Sequence, residues 1–137
     1  MPSKPSNVPV VGLGFRTFYL LAALFAVLGV VLWVLATRGI AVDGGYLDGL
    51  AWHSHEMLFG FVSAGMAGFL LTAVRNWTGL PTPTGLSLAL LALLWLLGRV
   101  LVFTGPGLLA AKIDVLFMPA LGVAVAVPIL RSHNRRN

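Results

Sequence analysis

The chain has 137 residues, of which 58% are hydrophobic and only 9% are charged. A soluble domain ordinarily carries about 25% charged residues, and a small soluble protein this apolar could not cover its surface with polar groups. The composition therefore excludes an ordinary soluble domain and a disordered tail, and it predicts an integral membrane protein. The formal net charge of +5 is better explained by membrane orientation than by nucleic acid, which we do not expect as a partner.

Four long apolar runs follow one another along the chain. A helix needs roughly 20 residues to cross the ~30 Å hydrocarbon core, and the runs lack the alternation of barrel strands. We therefore predict an all-α, polytopic transmembrane four-helix bundle. A cleaved signal peptide is the competing interpretation of the first run, but its apolar core would be shorter, about 7–15 residues. The helices are predicted at residues 15–37, 52–74, 86–103 and 108–130, between tails at 1–14 and 131–137.

The positions of Lys and Arg predict the orientation of these spans. With four spans, both termini and the loop at Arg75 lie on one side, and that side carries most of the basic residues. The other side has Arg38 and at most Lys112. We therefore expect both tails, including the basic C-terminal one, to be cytoplasmic.

The tryptophans partly follow this topology. Trp33 and Trp52 would lie at the outer interface and Trp77 at the inner one, as in an aromatic belt. Trp95 falls in the middle of the third span and fits neither interface.

The densest group of titratable side chains begins the second span. His53, His55 and Glu56 lie within four residues there, and imidazole nitrogen commonly binds haem iron and copper. At ~100° per helical residue, His53 and Glu56 share a face, while His55 points nearly the opposite way. The two histidines would then serve different centres, unless His53 lies in a non-helical entry turn. The alternative is a set of interfacial polar residues in which Ser54 or Glu56 caps the helix.

Arg99 and Asp114 are the second group of charges inside the predicted membrane region. Ionisable groups there cost at least ~2.5–3.5 kcal/mol and usually have a partner or a role. Each lies about seven residues from the turn at 105–107, which places both at one depth on adjacent antiparallel helices. A structural ion pair is favoured over a proton relay. Arg99 could alternatively bind a cofactor carboxylate such as a haem propionate.

Few residues of the chain could supply further metal ligands. The chain has no cysteine, which excludes thiolate ligands, and its third histidine, His133, lies beyond the opposite end of the bundle. A six-coordinate haem would therefore need a ligand from another chain or from further sequence.

Gly60, Ala64 and Gly68 recur every four residues and predict close helix contact.

Residues 52–61 read W-H-S-H-E-M-L-F-G-F. This string resembles the W-H-x-H-E-M-x-F-G-F signature of the NnrS family of membrane proteins, and the likeness runs from Gly14 to the end of the chain. It includes residues 68–74 and 76–79, Gly98-Arg99 and Asp114. The resemblance implies a haem- and copper-containing polytopic protein of bacterial inner membranes, associated with the nitric oxide response and denitrification.

The resemblance also implies partners and ligand roles. Family members have more spans than four, so the chain resembles their N-terminal third or a short relative. Its partners would be the lipid bilayer, the remaining helices of a longer protein or other protomers, and nitric oxide or a metal-nitrosyl as ligand. A looser similarity to haem–copper oxidase main subunits favours His55 for haem. His53 and Glu56 are left for copper or a supporting role.

Two other functions remain open from the residues themselves. Glu56 could be the proton or cation site of a small proton-coupled transporter or channel subunit. Alternatively, the chain could be a non-catalytic membrane assembly protein whose polar residues only determine packing. The sequence assigns no catalytic residue.

Overall fold

The computed structural model describes residues 14–40 and 45–132. Within these two ranges there is no β-strand, and four helices are long and apolar enough to cross a membrane. They are α1 (Gly14–Thr37), α2 (Gly49–Thr78), α3 (Gly85–Thr104) and α4 (Gly107–Arg131). The predicted all-α, four-helix fold is confirmed. Most of both predicted tails, with His133, lies outside the described residues.

Helix α2 is longer at both ends than the apolar run that predicted it. It begins at Gly49 because the Asp48 carboxylate accepts a hydrogen bond from the Ala51 amide at 2.9 Å. Asp48 is therefore the N-cap, and the alternative of a cap at Ser54 or Glu56 is wrong. The helix ends at Thr78 because the next residue, Gly79, has a φ of +67°, a left-handed conformation that glycine adopts easily.

One segment of α2 is not α-helical. Residues Glu56–Val62 form a π-helical segment between the α-helical segments Gly49–His55 and Ser63–Thr78. The wider turn changes the angular position of every later side chain, so a regular 100° count cannot be carried past His55. The Ser63 hydroxyl donates to the Phe59 and Gly60 carbonyl groups. The Trp95 indole N–H also donates to the Gly60 oxygen, at 3.2 Å.

The helices pack through small residues and a mostly apolar core. Helix α1 packs on α2, α3 packs on α4, and α2 also packs on α4. A Cβ at Gly60 would meet the Phe25 ring of α1, and one at Gly68 would lie 3.4 Å from Phe18 Cβ, as the small-residue spacing predicts. The main buried cluster is made of Phe18, Ala22, Ala64, Ala67, Leu71, Leu88, Leu91, Trp95, Phe117 and Leu121.

A second buried cluster lies where α2 begins and α3 turns into α4. Trp52 is 4% exposed and packs with Val102 and Ala110, with its ring centroid 6.1 Å from that of Phe103. The ring of Trp52 therefore packs inside the bundle, because neighbouring helices cover it, and its predicted position in an aromatic belt stays a prediction. Trp77, at the other end of α2, is 62% exposed, as a belt residue would be.

Many large apolar side chains point away from the bundle. The outward-facing residues of α2 include Phe59, Val62, Met66 and Phe69. Such an apolar exterior suits lipid contact. Together with the four apolar helices, it indicates a multi-pass membrane protein.

Candidate functional site

Four ionisable side chains form a closed ring that joins α2, α3 and α4; we call His55, Glu56, Arg99 and Asp114 the charge ring. His55 Nδ1 lies 3.1 Å from Glu56 Oε1, and His55 Nε2 lies 3.1 Å from Asp114 Oδ2. Arg99 Nε lies 3.5 Å from Glu56 Oε2, and Arg99 Nη2 contacts Asp114 Oδ1. Each carboxylate therefore faces both bases.

Local structure brings these four residues together. His55 and Glu56 stand where the α-helical start of α2 passes into the π-helical segment. Arg99 and Asp114 lie on either side of the α3–α4 turn, at the equal depth that the sequence predicts. Gly98 lets these helices approach closely, because a Cβ there would lie 3.0 Å from Asp114 Oδ1.

The ring is largely removed from solvent. Glu56 is 2% exposed and Arg99 is 6% exposed. A buried charge costs several kcal/mol unless an opposite charge and hydrogen bonds compensate it, and the ring supplies opposite charges on both sides of Arg99. The guanidinium also lies 5.8 Å from the Trp95 ring centroid. Its Nη1 is buried without a hydrogen-bond partner.

His53 is not part of the charge ring. Its imidazole stacks on the Trp33 ring of α1, with centroids 4.1 Å apart and planes inclined by 20°. Its Nδ1 is buried and has no hydrogen-bond partner. The two histidines therefore face different helices, α1 for His53 and α4 for His55, which agrees with the nearly opposite directions that the regular helical count predicts.

The predicted metal residues can be compared with the side-chain positions in the described part of the chain. Across 14–40 and 45–132, no group of three or more His, Cys, Asp or Glu side chains is arranged to hold a metal ion. The predicted metal residues His53, His55 and Glu56 are thus not brought together as one ligand set.

A cleft of about 450 Å³ lies beside the ring, between α2 and α4. His55 and Asp114 supply its polar wall. The other lining residues are Tyr46, Phe59, Ala111, Val115, Met118 and Pro119. The Tyr46 ring packs against Gly107, where a Cβ would lie 2.9 Å from Tyr46 Cγ. The loop before α2 therefore borders the cleft. Two other lining residues, Phe59 and Val115, are exposed, so the cleft opens onto the apolar surface of the bundle.

Sequence reasoning missed three features of this site. It did not pair His55 with Glu56, because a regular helix directs neighbouring side chains apart. It did not pair His55 with Asp114, because the sequence does not show which face of α2 packs on α4. It also did not find that Tyr46 borders the cleft. The position of Trp95 in mid-span was the available signal for the π-helical segment, since a buried indole needs an acceptor for its N–H.

Comparisons with known proteins agree with the W-H-S-H-E-M string. The model of the family described as NnrS protein matches residues 9–137. No curated protein and no solved structure matches the chain. The family match covers all four helices, the charge ring and both α2 histidines. The chain therefore belongs to the NnrS family.

Proposed function

We propose that this chain is part of a haem- and copper-binding protein of the bacterial inner membrane that acts in the nitric oxide response or in denitrification. The observation that carries the proposal is the family match over residues 9–137, which includes both histidines of the W-H-S-H-E-M string. The four membrane-spanning helices suit such a protein. The proposed topology has both termini in the cytoplasm, so the charge ring lies toward the outer side.

The residues present fit a haem that one imidazole of this chain would hold. His55 would be that ligand, since it borders the cleft and has carboxylates to orient its ring. Arg99 Nη1 is a buried donor still without a partner, which suits a carboxylate of the cofactor. Ferrous haem binds nitric oxide, and that is the chemistry the group would supply when bound.

Copper needs more donors than this part of the chain brings together. His53 is the candidate ligand, because its buried Nδ1 lacks a hydrogen-bond partner. The other donors would come from the remaining helices of a longer protein or from other protomers. The same sources would supply any haem ligand other than His55.

The test is the visible absorption spectrum and the metal content of the protein purified from membranes. We expect a Soret band that His55→Ala abolishes and that the matched variant His133→Ala retains. Addition of nitric oxide to the reduced protein should shift the band. Finding neither iron nor copper in the purified wild-type protein would refute the proposal.

A membrane assembly protein is the second candidate, and the closure of the charge ring favours it. Each of the four ring members already contacts two others, as residues that only determine packing would. A proton-coupled transporter using Glu56 is less well supported, because that carboxylate is held by both Arg99 and His55. Proton flux that is lost in Glu56→Gln would revive the transporter.

A further inference from the structure

We infer that His55 offers Nε2 to the cofactor, that Asp114 is the group that moves away, and that Glu56 holds the ring from the Nδ1 side. The inference rests on the proposed function. It follows from the different surroundings of the two nitrogens.

The Nδ1 side of His55 is closed. Glu56 Oε1 lies 3.1 Å from Nδ1, and the Glu56 side chain is 2% exposed. The other Glu56 oxygen faces Arg99 Nε, and it would lie 3.0 Å from a Cβ on Gly60. The Glu56 side chain is therefore enclosed by neighbouring residues, and it has no space to move away from Nδ1 when a ligand binds.

The Nε2 side of His55 borders the cleft. Asp114 Oδ2 lies 3.1 Å from Nε2, and both residues line the opening of about 450 Å³ between α2 and α4. The Asp114 side chain is 11% exposed, against 2% for Glu56. The Phe59 ring lies 4.9 Å from the imidazole and continues the cleft as an apolar wall. A planar, mostly apolar group can approach the imidazole only from this side.

Opening the ring at Asp114 leaves no charge without a partner. Asp114 contacts Arg99 through Oδ1, which is not the oxygen that faces His55. If Nε2 leaves Asp114, the Arg99–Asp114, Arg99–Glu56 and Glu56–His55 contacts can all persist. Opening the ring at Glu56 instead would take a contact away from a carboxylate that is only 2% exposed.

The resulting arrangement matches what histidine ligands generally require. A metal-bound histidine donates its other ring N–H to a carboxylate, which orients the ring and raises its basicity. Loss of such a carboxylate typically weakens binding by about 10–100-fold. Glu56 is thus a positioning residue for His55, whereas Asp114 competes with the metal for Nε2.

The experiment compares Asp114→Asn with Glu56→Gln in the full chain, using haemin titration followed by absorbance. We expect Asp114→Asn to bind haemin at least as tightly as the wild type, because a neutral amide competes less for Nε2. Glu56→Gln should bind about 10–100-fold more weakly. It should also raise the reduction midpoint potential, which a purely structural role would not move. Lys112→Gln, on the exposed surface of α4, is the matched control.

Circular dichroism and thermal unfolding establish that each variant is folded. If Glu56→Gln does not fold, Asp114→Asn decides alone: retained haemin affinity supports the assignment, and a tenfold loss overturns it. Equal losses in the two folded variants, or loss only in Asp114→Asn, would also overturn it. A wild-type protein that binds no haemin and contains no iron or copper would overturn the proposed function itself.

Discussion

The Trp95 indole N–H donates a hydrogen bond across the bundle to the Gly60 carbonyl oxygen, at 3.2 Å. The Gly60 oxygen belongs to the π-helical segment of α2. The same indole N–H also donates to Ser63 Oγ, at 3.2 Å. Backbone polar groups of an irregular turn must find partners inside a membrane. Trp95 supplies one from α3, so it helps to hold the turn from which Glu56 reaches Arg99.

We expect Trp95→Phe to lower the free energy of unfolding in detergent by about 1–2 kcal/mol, because the indole donor is lost while an aromatic ring remains. The ring would keep most of its edge-to-face contact with Phe25, now 5.5 Å between centroids. Trp77→Phe is the matched control, since Trp77 is 62% exposed. Equal stability of the two variants would contradict a specific role for the Trp95 hydrogen bond.

Gly60→Ala should destabilise the protein by about 1–3 kcal/mol, because the added Cβ meets the Phe25 ring and overpacks the α1–α2 contact. Gly65→Ala, in the same helix, has nothing within 4 Å of its added Cβ. That control should be neutral or stabilising by up to about 1 kcal/mol, from helix propensity alone. Unfolding in detergent measures both, and a harmless Gly60→Ala would show that the helices do not need their close approach.

Arg99→Leu should destabilise the protein by about 3–5 kcal/mol, because it leaves the buried Glu56 carboxylate and the partly buried Asp114 carboxylate without their cation. The double variant Arg99→Leu, Asp114→Leu should be more stable than the single one, since only Glu56 then lacks Arg99. Glu56 keeps its contact with His55 at 3.1 Å, so the rescue is partial. Unfolding of the purified variants is the measurement. Equal damage in the single and double variants would refute the Arg99–Asp114 pair.

Asp48→Ala should cost about 1 kcal/mol, because the first turn of α2 loses its cap. Amide hydrogen exchange of Ala51 is the most direct measurement, since its N–H donates to the Asp48 carboxylate at 2.9 Å. We expect faster exchange at Ala51 in Asp48→Ala and near-normal exchange in Asp48→Asn, because asparagine also caps well. Unchanged exchange in both variants would exclude the cap.

Several features of the site could be predicted from the sequence. Arg99 and Asp114 stand at equal distances from a short turn, and two antiparallel helices then bring them to the same depth. The spacing of Gly60 and Gly68 likewise indicated a close helix contact, and the structure identifies α1 as the partner. These predictions succeeded because they depend on helix rise and residue volume, which are local properties.

The sequence by itself determined four helices long and apolar enough to cross a membrane. A continuous apolar run, without the alternation of a barrel strand, can satisfy its backbone hydrogen bonds inside a bilayer only as a helix. The sequence also determined the NnrS membership, through the string at residues 52–61. Only the tertiary structure decided where His53 and His55 point and which carboxylates they face. The reason is that these directions depend on which helices pack against α2: Trp33 of α1 stacks on His53, and Asp114 of α4 faces His55.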